Sequence, residues 1–75
     1  MRRYANRSGA SGISAYEILE DAILVRFRAG GTYRYDSERP GAWAVAEMKR
    51  LAPTGRGLAT FINRHVRDAY SERLD

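Results

Sequence analysis

The fold is decided by the stretch Val25-Arg26-Phe27-Arg28-Ala29-Gly30-Gly31-Thr32-Tyr33-Arg34-Tyr35. Apolar and charged side chains alternate on both sides of a double glycine, which is typical of two strands joined by a tight turn. The stretch therefore predicts a β-hairpin that brings two tyrosines and three arginines close together.

The length of the turn decides which side chains share a face, because a slip of one residue moves a whole strand's side chains to the other face. A two-residue loop at 30–31 would pair Arg28 with Tyr33 and Arg26 with Tyr35. Directly paired residues share a face. This alternative predicts one exposed surface of rings and guanidinium groups.

A three-residue loop at 29–31 would instead pair Phe27 with Tyr33 and Val25 with Tyr35. We favour this alternative because it joins four apolar side chains on one face, and each large side chain so buried contributes roughly 1.5–3 kcal/mol. A glycine also closes such a loop at positive φ without steric cost. The opposite face would then carry Arg26, Arg28 and Arg34.

The flanking sequence predicts an α+β fold. Strands at about 13–19, 22–28 and 32–36 form a three-stranded antiparallel β-meander. Two helices, at about 39–51 and 56–71, follow and pack on one face of the sheet. We expect a single small domain over residues 13–75.

The second helix has the clearest periodicity in the chain. Its apolar stripe consists of Leu58, Phe61, Ile62, His65, Val66, Ala69 and Tyr70, which follow helical spacing. The stripe predicts a core or rim position for His65. The outer face would carry Asn63, Arg64, Arg67 and Asp68.

Residues 1–12 contain Arg2, Arg3 and Arg7 among small and polar residues, without a period. They predict a flexible basic arm, which is either an untethered tail or a segment that follows a phosphate backbone.

The amino-acid composition limits the classes of function that this protein can have. The net charge of +4 suggests anionic partners, and all but one of the 13 basic residues are arginine, the exception being Lys49. Arginine suits phosphate contacts, although a GC-rich genome gives the same bias. The chain has no cysteine, which excludes disulfides, zinc ribbons and thiol nucleophiles. We expect no catalytic group, cofactor, metal site or membrane span, and a cytoplasmic location of bacterial type.

These features predict a nucleic-acid-contacting module, for RNA rather than DNA. Arg26, Arg28 and Arg34 would hold phosphates, and Arg56, Arg64 and Arg67 would extend the path. Tyr33 and Tyr35 would stack on bases if their rings are exposed. Arg56 lies in the glycine-rich connection 54–57, which is either a plain turn between helices or an anion site.

Trp43 supports an alternative. It lies roughly 140° from the apolar stripe of the first helix, at about 100° per residue. It therefore either flanks the sheet or stays partly exposed. An exposed tryptophan favours a protein-interaction module or a small homodimer without enzymatic activity.

Several of these residues also resemble a family motif. The matching positions are Phe27, Tyr33-Arg34-Tyr35, Gly55, Phe61-Ile62-Asn63-Arg64-His65-Val66-Arg67 and Tyr70. Over residues 11–70 the chain resembles the KTSC domain, which is found at the C-terminus of some lysyl-tRNA synthetases and as stand-alone bacterial proteins. The chain departs from the family pattern by extra residues at 56–58 and by Arg39 before Pro40. The family has no established function, and its attachment to a tRNA ligase implies RNA contact by association.

Overall fold

The computed structural model describes residues 1–7, 9 and 11–75. In this part of the chain it has an antiparallel sheet of five strands in sequence order, and helices that follow the fourth strand. The strands are β1 (Arg2–Arg3), β2 (Ile13–Ile18), β3 (Ala22–Phe27), β4 (Thr32–Asp36) and β5 (Glu72–Arg73). The α+β class is confirmed, but the sheet has two short edge strands beyond the predicted meander.

The helices cover one face of the sheet. Helix α1 spans Ala42–Leu51 and runs into a 3-10 turn at Ala52–Thr54, and α2 spans Leu58–Phe61 and widens into a π-helical turn at Ile62–Val66. The core between the layers contains Ile23, Val25 and Tyr35 from the sheet and Val45, Met48, Leu58 and Ile62 from the helices. No helix in the described part of the chain has the length and apolar content needed to cross a bilayer.

The side chains of the hairpin lie on the faces that the three-residue loop predicts, but the residues pair differently across the strands. Val25 pairs with Tyr33 and Ile23 with Tyr35, so the predicted partners are wrong by two residues. The loop is formed by residues 28–30, since the Phe27 N–H donates to the Gly31 carbonyl at 3.0 Å and the Gly30 N–H donates to the Phe27 carbonyl at 3.1 Å. A shift of two residues preserves the faces because side chains alternate with period two.

Gly31 supplies a physical reason for this register. Its φ is +94°, and a Cβ there would lie 3.0 Å from the Tyr33 hydroxyl oxygen. The Tyr33 ring therefore lies against the bare backbone of Gly31, the residue that immediately precedes β4. Closing the loop one residue earlier leaves Gly31 free for this contact.

The predicted arm is wrong for the first residues of the chain. Arg2 pairs with Tyr16 and Arg3 with Ala15, while Tyr4 is buried in the core and its hydroxyl accepts a hydrogen bond from the Leu58 N–H at 3.3 Å. Burial of this large aromatic ring, together with the pairing of Arg2 and Arg3 in the sheet, helps to offset the ordering cost of these residues. Ser8 and Ala10, which belong to the same predicted arm, lie outside the described residues.

Glycine allows this segment to dock on the helical side. The Arg7 N–H donates to the Gly55 carbonyl at 2.6 Å. Gly55 has φ +74°, and a Cβ there would lie 2.5 Å from the Ala5 Cβ. Any other residue at this position would push the N-terminal segment away.

Both predicted helices are too long. Helix α1 begins at Ala42 because residues before it form a turn, in which the Asp36 carboxylate accepts hydrogen bonds from the Glu38 and Arg39 N–H groups, each at 3.1 Å. The second helical segment ends at Val66, and Arg67 follows with φ +54°. The chain then turns back to the sheet, where the Ser71 N–H donates to the Arg34 carbonyl at 2.8 Å.

Candidate nucleic-acid interface

A groove of about 610 Å³ lies between the tip of the hairpin and the turn that follows Val66. Its aromatic lining consists of Phe27, Tyr33, Tyr35 and Tyr70. Its polar lining consists of Asn63, Arg67 and Asp68. The groove is an open surface feature of a size that is usual for small-ligand sites.

The tyrosines in the groove differ in what they offer a ligand. The Tyr33 and Tyr70 ring centroids lie 4.6 Å apart at an interplanar angle of 31°, and both residues are half-buried. Tyr35 is only 1% exposed and meets Tyr70 edge-on at 6.5 Å. The Arg73 guanidinium carbon also lies 5.5 Å from the Tyr33 centroid. Tyr33 and Tyr70 are therefore only partly accessible from the groove, whereas Tyr35 forms the wall behind them.

Burial also controls the ionisation of Tyr35. Desolvation, with smaller contributions from Tyr33 and Tyr70, raises its pKa well above the ordinary tyrosine value. The wall of the groove therefore stays uncharged at neutral pH.

The polar residues of the groove are exposed. Asn63 lies in the widened helical turn, and Arg67 and Asp68 lie in the turn that follows it. Arg67 and Asp68 take part in none of the ion pairs found among the described residues. A positive and a negative group are thus both available beside the aromatic rings.

The arginines of the far face of the sheet are in a different environment. Arg34 is half-buried and lies 3.6 Å from the Asp21 carboxylate and 3.3 Å from the Asp36 carboxylate. Arg26 is exposed, and its Nε donates to the Thr32 hydroxyl at 3.5 Å. Arg34 is therefore already partnered within the protein.

Asp36 is held in its charged form. Its hydrogen bond with Ser71 is the largest cause that lowers its pKa below the ordinary value, and hydrogen bonds from the Arg39 N–H and the Arg34 guanidinium add to the shift. The negative charge that neutralises Arg34 consequently persists to a lower pH than that of an ordinary aspartate.

The predicted arginine path is divided between different parts of the surface. Arg26 and Arg34 alternate with Val25 and Tyr33 in the paired strands, so they point away from the helices. The other predicted arginines are all exposed: Arg28 in the hairpin loop, Arg56 before α2, Arg64 in the widened turn and Arg67 in the groove. Of the predicted residues, only Tyr33, Tyr35 and Arg67 are brought together in the groove.

Sequence patterns did not identify the rest of the groove. Phe27 was predicted on the apolar face of the hairpin, Tyr70 on the apolar stripe of the second helix, and Asn63 and Asp68 on its outer face, but none of the four was assigned to a site. Tyr70 reaches Tyr33 because the chain leaves the helix at Arg67, and no local pattern indicates that turn.

A second aromatic cluster surrounds Trp43, whose side chain is 71% exposed. Its ring centroid lies 5.8 Å from that of Phe61 and 6.3 Å from that of His65. His65 is exposed and is not part of the core. Its ring centroid lies 5.0 Å from that of Phe61. The widened turn that contains His65 shifts its side chain away from the stripe that regular helical spacing predicts.

The described residues contain no group of three or more His, Asp or Glu side chains that could hold a metal ion. No family model, curated protein or solved structure matches the chain at a significant level. The resemblance to the KTSC domain stays a prediction.

Proposed function

We propose that this protein binds single-stranded RNA, with one unstacked base in the groove and the neighbouring phosphates on the arginines around it. The observation that carries the proposal is the position of Arg67 beside the Tyr33 and Tyr70 rings in one groove. Single-stranded RNA is recognised by stacking of splayed bases on aromatic rings together with basic contacts to the backbone.

The energies are sufficient for a weak, general RNA binder. One base stacked on an aromatic side chain contributes roughly 1–3 kcal/mol. The net charge of +4 adds a favourable electrostatic term for any polyanion. Arg28 and Arg64 are exposed and are adjacent in sequence to the groove residues Ala29 and Asn63. They extend the phosphate path from Arg67. Arg34 is not part of this path because its charge is neutralised by Asp21 and Asp36.

The choice of RNA over DNA rests on the resemblance to a domain attached to lysyl-tRNA synthetases. Stacking and phosphate contacts are common to both nucleic acids, so the two are distinguished only by contacts to the 2′-hydroxyl. The experiment therefore includes both.

The test is a fluorescence-anisotropy titration with a mixed-sequence single-stranded RNA and the matching DNA, at about 50 and 200 mM salt. We expect saturable binding at or below about 100 µM that weakens as salt rises. Arg67→Gln should lose about tenfold in affinity, since a hydrogen bond to a charged group is worth about 1.5–3 kcal/mol. The matched control Arg34→Gln removes the same charge from the far face and should lower the affinity much less. Absent or salt-insensitive binding would contradict the proposal, and equal binding of DNA would remove the preference for RNA.

Trp43 favours a second candidate, a homodimer formed through the Trp43, Phe61 and His65 cluster. The supporting observation is the 71% exposure of a tryptophan whose ring lies beside those of Phe61 and His65. Exposed aromatic clusters are typical of interaction surfaces. Sedimentation velocity at two widely separated concentrations should then show concentration-dependent dimerisation that Trp43→Ala abolishes. A monomer at both concentrations would contradict this candidate.

A further inference from the structure

Two adjacent residues of opposite charge, Arg67 and Asp68, line the groove at the turn where the chain leaves the second helical segment. Both are exposed, and neither is engaged in an ion pair within the described part of the chain. A phosphate-binding surface has no use for a free carboxylate, because the two negative charges repel each other. The position of Asp68 therefore points to a ligand that donates hydrogen bonds as well as accepting them.

We propose that the groove selects guanine among the RNA bases, an inference that rests on the proposed binding of single-stranded RNA. Guanine carries two adjacent donors, N1–H and N2–H, which match the two oxygens of one carboxylate. Asp68 supplies this pair of acceptors, while Arg67 contacts the neighbouring phosphate and the partly exposed rings of Tyr33 and Tyr70 border the base.

The other bases satisfy the Asp68 carboxylate less well. Adenine and cytosine each offer one amino donor next to a ring nitrogen that is an acceptor, so the second carboxylate oxygen would face a lone pair. Uracil offers one ring N–H between two carbonyl groups. Each of these bases therefore forms one hydrogen bond fewer with the carboxylate than guanine does, which lowers its affinity relative to guanine.

The groove has further features that suit a single base. Its volume of about 610 Å³ accommodates a purine. The Phe27 and Tyr33 centroids lie 5.6 Å apart, so the apolar floor continues from Tyr70 through Tyr33 to Phe27. Asn63 adds a polar group that can both donate and accept.

The test uses short oligouridine RNAs that differ only at one central position, which is G, A, C or U. We expect the G-containing RNA to bind about tenfold or more tightly than the others, which is the discrimination typical of one bidentate pair. Asp68→Asn should reduce this preference to near unity while binding to the all-U RNA is retained or strengthened. Glu72→Gln, at an exposed position in β5, makes the same change in net charge and should leave the guanine preference intact.

The outcomes separate this inference from the proposal on which it rests. Salt-dependent binding with equal affinity for all four RNAs would overturn guanine selection and leave RNA binding standing. A guanine preference that survives Asp68→Asn would overturn the role of Asp68. Failure of all four RNAs to bind would overturn both the guanine selection and the proposed function. Circular dichroism of each variant verifies that the exposed substitutions leave the fold unchanged.

Discussion

Charged side chains have different surroundings on the two sides of β4. On the far face, Arg34 lies between the Asp21 and Asp36 carboxylates, so its charge is satisfied within the protein. On the helical side, one residue away, Tyr33 borders a groove in which Arg67 and Asp68 have no ionic partner among the described residues. The difference teaches that a count of arginines does not locate a binding surface, since the positions of nearby carboxylates decide which arginines are available.

The same comparison applies to packing. Side chains on the helical side are enclosed between two layers, whereas the far face has no helix over it and Thr32 there is covered by Asp75 near the C-terminus. Tyr35 is 1% exposed on the first side, while Leu24 on the second is half-buried. We therefore expect substitutions on the two sides to differ in size of effect, in pH dependence and in RNA affinity.

The largest effect should come from Tyr35→Ala, which removes the wall of the groove and leaves a cavity in the core. We expect it to lower the free energy of unfolding by about 3–5 kcal/mol, the usual cost of deleting a buried aromatic ring. Leu24→Ala, the matched truncation on the far face, should cost only roughly 1–2 kcal/mol because the leucine is half-buried. Urea unfolding followed by circular dichroism measures both. Equal losses would show that the far face packs as tightly as the core.

The second effect is on pH dependence. Because the pKa of Tyr35 is raised in the folded state, the folded chain binds a proton that the unfolded chain releases at about pH 10. The contribution of this one group to stability should therefore be constant below about pH 10 and fall above it by about 1.4 kcal/mol per pH unit. The measurement is urea unfolding at several alkaline pH values, and Tyr35→Phe should make the decline shallower.

Asp36 on the far face provides the opposite dependence. Its lowered pKa contributes stability that is present at neutral pH and is lost as pH falls from the ordinary aspartate value of about 3.9 through the folded-state value. Asp36→Asn should therefore leave the alkaline decline unchanged, which makes it the control for Tyr35→Phe. An alkaline decline that Tyr35→Phe does not alter would assign the effect to the other tyrosines.

The smallest effect concerns two neighbouring arginines of the hairpin. Arg28 lies in the loop whose residues Ala29 and Gly30 border the groove, while Arg26 lies on the far face. Arg28→Gln should reduce the slope of log affinity against log salt by about 0.7, the value for loss of one phosphate contact with a single strand. Arg26→Gln should leave the slope unchanged. Equal changes in slope would place the RNA across both faces.

Local patterns predicted much of the fold. Alternation along residues 22–36 indicated the hairpin and the side to which Tyr35 points, and helical spacing indicated α1 and the buried residues of the second helical segment. Local patterns did not predict the structure of residues 1–7. Tyr4 is the one aromatic residue in this polar segment, and its burial depends on Leu58, far along the chain. Of the groove, Tyr33, Tyr35 and Arg67 were predicted, but Tyr70 and Asp68 were not assigned to it.

The sequence by itself determined the α+β class, the two faces of the hairpin and the excess of arginine, because these follow from periodicity over a few residues. The tertiary structure decided the pairing around Gly31, the docking of the N-terminal segment on Gly55 and the exit of the chain from the helix at Arg67. It also decided that Arg34 has ionic partners, whereas Arg67 forms none of the ion pairs found among the described residues. The docking of the N-terminal segment and the Arg34–Asp21 ion pair depend on contacts between residues distant in sequence, and the contact of Gly31 with Tyr33 depends on a positive φ. Local periodicity carries no information about either.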